Sequence, residues 1–216
     1  MDQGIIWDLD GVIVDSAPFH FEAWREFAAA RGKVFTSEDF RRTFGMKNED
    51  ILAFIFGDQW ERDVLESWSD EKEGRFRQLI QGNVRPFPGV LPLIRSLNAA
   101  GYKQAIASST PLENIHLILN GLTIHEFFDT IISGEAVTKG KPDPEAFLKA
   151  ATGMTLPPDR CLVIEDAAAG ISAANRAGMK AIGVTNTVPG ERLSSADLVV
   201  ESLEGVDLKT VAALLG

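Results

Sequence analysis

Short apolar runs recur along the chain, each followed by a stretch whose apolar positions repeat at helical spacing. The runs cover residues 4–7, 104–107, 130–132, 161–164, 181–184 and 197–200. They are continuous rather than alternating, the pattern of strands buried on both faces of a parallel sheet. Helical patterns fit between them at 90–100, 112–119, 145–151 and 170–177. Two of these have start signals. Thr110-Pro111-Leu112-Glu113 offers an N-cap hydroxyl, a proline at the first helical position and a glutamate at capping-box spacing. Asp143-Pro144 opens the next helix in the same way. The expected class is α/β, with a doubly wound parallel sheet.

One interval breaks the alternation. After Ser16 no strand pattern returns before Arg85, only helical ones such as 19–31 and 68–81. This reads as a small helical domain, 16–86, inserted after the first strand, with 1–15 and 87–216 forming the core. Arg85-Pro86-Phe87-Pro88-Gly89 is a stiff return linker. Charges nearly balance within the insertion, so most of the formal net charge of -10 sits on the core. That excess of acid argues against a nucleic-acid partner, which clustered cations would have to hold. The single cysteine, Cys161, excludes an internal disulfide framework and reads as an inert buried thiol. No apolar run has the roughly 20 residues that span a bilayer, and no signal-peptide pattern is visible. The expectation is a cytoplasmic protein, monomeric or weakly dimeric, with no membrane partner.

In open parallel sheets the ligand site lies beyond the carboxyl ends of the strands. Asp8 and Asp10 follow the first run; Ser108, Ser109 and Thr110 follow the second. Lys141 lies in the loop after the third, and Glu165-Asp166 close the fourth. Asp8 and Asp10 are two apart, so an extended backbone puts both on one face, where like charges repel unless a cation binds them. With Glu165 and Asp166 they make an oxygen set suited to Mg²⁺. Taken singly, each residue also has an ordinary reading. The acids could be solvated loop residues, Ser108 a helix-start residue, and Lys141 a solvated lysine stiffened by Pro142 and Pro144. Placement of the whole set at strand ends favours chemistry. An EF-hand fits poorly, because the loop glycine comes too early and no glutamate closes it. His20 and Trp24, four apart, share a helical face.

Four segments in order resemble the motifs of the haloacid dehalogenase superfamily. Asp8-Leu9-Asp10-Gly11-Val12-Ile13, with Asp15-Ser16 following, resembles motif I, and Ala107-Ser108-Ser109 motif II. Lys141-Pro142-Asp143-Pro144 resembles motif III, and Glu165-Asp166-Ala167-Ala168-Ala169-Gly170 motif IV. The helical insertion is similar to a C1 cap, and the chain is most similar to the β-phosphoglucomutase-like sugar-phosphatase group. The resemblance implies a Rossmann-like core with strand order 3-2-1-4-5-6. It implies Asp8 as nucleophile, Asp10 as general acid and base, and Ser108, with Ser109 beside it, and Lys141 as phosphate ligands. Mg²⁺ would be held by Asp8, the backbone carbonyl of Asp10, and Asp166, with Glu165 close by.

In the insertion, His20, Trp24, Gly45, Met46 and Lys72 match cap positions of that group. The mutase arginine that grips a second phosphate falls on Asn48, with Lys47 and Lys72 as the nearby cations, and Ala167 replaces the motif IV serine. The implied activity is Mg²⁺-dependent hydrolysis of a small phosphorylated metabolite. A phosphosugar mutase is the enzyme alternative, and a receiver-like phosphate-responsive module the non-enzyme one. Asp10 argues against dehalogenation, because the dehalogenases lack that second aspartate.

Overall fold

The continuous apolar runs pair side by side. In a computed structural model, described over residues 2–216, the strands are β1 (Gly4–Trp7), β2 (Lys103–Ala107), β3 (Thr130–Ile132), β4 (Cys161–Glu165), β5 (Lys180–Val184) and β6 (Leu198–Val200). Every pairing is parallel, in the order 3-2-1-4-5-6. In β1 every residue is buried, and β2, β4 and β5 have four or more buried residues each. This is why their sequences are apolar without alternation. The edge strands β3 and β6 are only partly covered.

The helices are α1 (Ala17–Ala29), α2 (Ser37–Thr43), α3 (Asn48–Phe56), α4 (Arg62–Ile80), α5 (Val90–Ala99), α6 (Leu112–Leu122), α7 (Glu145–Gly153), α8 (Ala168–Arg176) and α9 (Leu208–Leu215). The chain divides into two compact units, one running to Asp15 and resuming over Arg85–Gly216, the other Ser16–Val84. In the sheet unit, Ile6, Ala105, Val163 and Ala181 pack with Phe147 of α7 and Ile171 and Ala174 of α8. The strand residues between them point to the opposite face, where α5 packs on β2 and α9 on β4. The helical unit is built on an aromatic core of Trp24, Phe27, Phe35 and Leu52, with Phe56 and Trp68 against it. Among the described residues, no helix is long and apolar enough to cross a membrane.

The two expected helix starts differ in detail from the structure. Pro111, not Thr110, is the N-cap of α6, and its first turn receives no bond from Thr110. Pro144 caps α7, while Asp143 accepts from the Glu145 amide at 3.1 Å. The helices α2 and α3 did not emerge from periodicity. α2 spans seven residues and is held by a local device, the Thr36–Asp39 capping box.

One buried polar residue ties the sheet to a flanking helix. Gln104 Oε1 accepts the Trp7 indole N–H at 3.0 Å, and its Nε2 donates to the Ile94 carbonyl at 3.1 Å. Gln104→Met keeps the volume but leaves both partners unsatisfied in the interior. A loss of about 1–3 kcal/mol is expected in urea unfolding; an unchanged midpoint would show that those groups find other partners.

Candidate active site

The site starts where β1 stops. Asp8 extends the β1–β4 pairing by one bond, its amide donating to the Ile164 carbonyl at 3.0 Å. The chain then turns tightly, with Gly11 N–H donating to the Val14 carbonyl at 2.9 Å and Ile13 N–H to Leu9 at 2.9 Å. Gly11 has φ +83°, and any Cβ there would fall on the Asp166 carboxylate. Only glycine allows that approach.

Across from Asp8, β4 ends in Glu165, followed by Asp166. Lys141, from the loop before α7, places Nζ 2.6 Å from Asp8 Oδ1 and 2.7 Å from Glu165 Oε2. Lys141 Nζ lies over the Phe147 ring, 5.1 Å from its centre. Gly170 lets the first turn of α8 close on Glu165, since a side chain there would overlap its carboxyl group. Asp8, Glu165 and Asp166 are all buried, and one oxygen from each lies within 4.8 Å of the others. The Asp10 carboxylate is outside this group.

Burial raises all three carboxyls: Asp8 to about 8, with the Glu165 charge adding, and Glu165 and Asp166 each to about 7. Lys141 opposes the rise at Asp8 and Glu165. Burial disfavours its own charge too, but Asp8 and Glu165 outweigh that and hold it above the ordinary lysine range. Two like charges at this spacing repel by about 3 kcal/mol at an effective dielectric near 20. With all three ionised, one ammonium would leave two negative charges uncompensated, which together with burial favours the protonated forms. A divalent cation supplies that balance, and buried carboxylate oxygens are the donor chemistry Mg²⁺ prefers. The residues present therefore fit the metal.

The residues after β2 form the other side. Ser108 is buried, and its hydroxyl oxygen accepts the Thr110 amide at 3.1 Å. Ser109 is exposed. The Thr110 hydroxyl, expected to cap α6, donates to Asp10 Oδ2 instead. At the start of α6, Leu112 N–H donates to Glu135 at 3.1 Å.

Within the helical unit, Trp24 belongs to the core, edge-on to Phe27 with ring centres 5.9 Å apart. Met46 is 43 % exposed, Gly45 has φ +84°, and Lys47 precedes α3 as its N-cap without a side-chain bond. The sequence reading makes Lys72 one of the cations near the Asn48 position. It is 1 % exposed, pairs with Glu73 Oε1 at 2.8 Å and lies 2.9 Å from His20 Nδ1, so its charge is already engaged within the fold. Asn48 donates to the same Glu73 oxygen at 2.8 Å, and the His20 ring stacks on Phe76 at 3.8 Å. Burial works against the Glu73 charge, yet the Lys72 charge, His20 and the hydrogen bonds from Lys72 and Asn48 together outweigh it and keep the carboxyl below its usual range.

With this geometry in place, the comparisons decide the family. The model of the haloacid dehalogenase-like hydrolases matches residues 5–184. The chain belongs to the haloacid dehalogenase-like hydrolases. It is 32% identical over 203 residues to the phosphorylated carbohydrates phosphatase of Thermotoga maritima, covering 91% of this chain and 92% of that protein. It is 35% identical over 215 residues to the β-phosphoglucomutase of Bacillus subtilis, covering 96% and 92%. The crystal structure of β-phosphoglucomutase from Clostridium difficile superposes with a TM-score of 0.89 at 29% identity, over 100% of this chain and 97% of that one. Membership of this enzyme family sets aside the receiver-like alternative.

Three contacts lie outside the four haloacid dehalogenase motifs. Thr110 bonds Asp10 rather than capping α6. Thr187 donates to Asp166 Oδ2, and Asn186 to the Gly11 carbonyl at 2.7 Å. Both follow β5, so strand-end reasoning extended beyond the fourth strand would have flagged them.

Excess Mg²⁺ should raise the thermal midpoint of the metal-free protein, and Asp166→Ala should abolish that increment while the EDTA-treated variant still unfolds cooperatively. An equal increment in the variant would remove Asp166 from the metal set. In the helical unit, Glu73→Gln strips Lys72 of its counter-charge and should cost about 3 kcal/mol. Adding Lys72→Met should recover most of it, as measured by urea denaturation.

Proposed function

We propose that the protein is a Mg²⁺-dependent phosphatase that hydrolyses a small phosphate monoester, a sugar phosphate or one of similar size, through a phosphorylated Asp8. The observation that carries this reading is the 2.6 Å Lys141–Asp8 contact inside a buried acid cluster that one lysine does not neutralise. A carboxylate set beside a fixed cation, in a site short of positive charge, is poised to receive a phosphoryl group and a metal together.

The Asp8 oxygen attacks phosphorus, and the bond from phosphorus to the ester oxygen breaks. Asp10 gives its proton to that leaving oxygen. Asp10 then takes a proton from water, whose oxygen attacks the phosphoryl group. The bond between Asp8 and phosphorus breaks, releasing inorganic phosphate. Lys141 and Ser108 hold the phosphoryl oxygens, with Ser109 at the exposed edge. Mg²⁺ would be held by Asp8, Asp166 and the Asp10 backbone carbonyl with Glu165 adjoining, and would supply the charge neutralisation that phosphoryl transfer requires.

The inserted segment 16–86 is proposed as the cap that selects the substrate, through His20, Gly45, Met46, Lys47 and Asn48, with Trp24 and Lys72 fixing its internal structure. Hydrolysis is favoured over mutase chemistry because a mutase must grip a second phosphate. Here Asn48 stands at the position of the gripping arginine and is bonded to Glu73, and Lys72 is paired. Lys47 remains as a point charge, without the bidentate fork of arginine. The mutase reading has its own support in the 35% identity to the Bacillus subtilis mutase.

Asp8→Asn should abolish turnover without loss of fold, since an amide is a poor nucleophile. Substantial activity in the purified variant would remove Asp8 from that role. Phosphorus NMR of the wild type with sugar monophosphates and Mg²⁺ should show inorganic phosphate as the product. Conversion of β-glucose 1-phosphate to glucose 6-phosphate with negligible phosphate release would establish the mutase instead.

A further inference from the structure

The loop after β5 reaches both acid-bearing segments of the sheet unit. The Thr187 hydroxyl donates to Asp166 Oδ2 and lies 3.2 Å from the Asp166 carbonyl oxygen. Its methyl group borders Gly11, where a Cβ would lie 2.9 Å from Thr187 Cγ2. One residue earlier, the Asn186 amide donates to the Gly11 carbonyl at 2.7 Å. Asp166 is therefore held on two sides, by the backbone of Gly11 and by a hydroxyl from a segment that none of the four motifs contains.

The consequence concerns orientation. An aspartate carboxylate rotates freely about its last torsion unless something bonds one oxygen. A hydroxyl has one proton to donate, and here it is spent on the carboxylate. Bonding Oδ2 fixes the plane of the group and the direction of the remaining lone pairs. Asn186 fixes the other wall, because Gly11 follows Asp10 directly. We propose that Thr187, backed by Asn186, is a positioning residue that sets the Asp166 carboxylate for the divalent cation. The proposal rests on the reading of Asp166 as a metal ligand.

The test is calorimetric titration of Mg²⁺ into the substrate-free, full-length protein, with unfolding midpoints recorded in EDTA. Residues that orient metal ligands typically change affinity 10- to 100-fold, so Thr187→Val should raise the Mg²⁺ Kd about tenfold or more. Thr187→Ser, which keeps the hydroxyl, should bind like the wild type. In turnover assays, the Mg²⁺ concentration giving half the maximal rate should rise in Thr187→Val much more than kcat at saturating Mg²⁺ falls. Thr187→Ala repeats the test without a branched side chain. A Kd within about twofold of the wild type in the valine or alanine variant overturns the proposal, as does failure of both variants to fold in EDTA, which would make the hydroxyl purely structural. A wild type that does not bind Mg²⁺ strikes instead at the metal reading beneath it.

Discussion

Confining three carboxylates around one ammonium is the constraint on which the rest of the site depends. Asp8, Glu165 and Asp166 are taken out of water at the ends of two adjacent strands, and Lys141 reaches only two of them. Ionised carboxylates in such a setting cost several kcal/mol each unless compensated. The backbone leaves them no retreat. Gly11 lets the motif I turn lie against Asp166, Gly170 lets α8 close over Glu165, and Asp8 is fixed by its pairing with β4. A chain relieved of function would lower this cost by turning one acid outward. This one spends two glycines to keep them in.

The same constraint explains why the sheet has this order. Acids that share a cation must leave from neighbouring strands, and β1 and β4 are adjacent only because the chain crosses over after β3 to the other side of β1. The hydroxyl side comes from β2, on the opposite flank of β1, so Thr110 meets Asp10 from there. Reversal of strand order beside β1 thus places acids on one side and hydroxyls on the other. This is the general reason ligand sites gather at such points.

Much of this was legible in the residues. Continuous apolar runs marked β1, β2, β4 and β5 because strands buried on both faces cannot alternate. The ends of β1 and β4 then pointed to the acid cluster. Helices α2 and α3 were less legible: α2 is short and begins with a local cap, and the apolar run of α3 is ambiguous by periodicity alone. Thr110 was misread because a hydroxyl before proline fits a helix cap as well as a side-chain donor, and only the third dimension shows that Asp10 lies within reach. Thr187 follows a strand end, but no local pattern distinguishes a loop threonine that bonds a carboxylate across 21 positions from one that faces water.

The helical unit supplies the contrast that separates a site from structure. It too buries charge, with Lys72 1 % and Glu73 4 % exposed. There, however, the charges meet each other, and the remaining polar capacity is engaged by His20 and Asn48. Such a pair can be exchanged for well-packed apolar residues with little loss, because no charge is left over. The acid cluster of the sheet unit admits no such exchange: once ionised, its three carboxylates outnumber the one ammonium, and a divalent cation relieves that imbalance. Burial alone therefore does not identify a functional group. What identifies it is a buried group of acids that the protein's own side chains cannot balance when ionised, and in this chain that condition points to Asp8, Glu165 and Asp166.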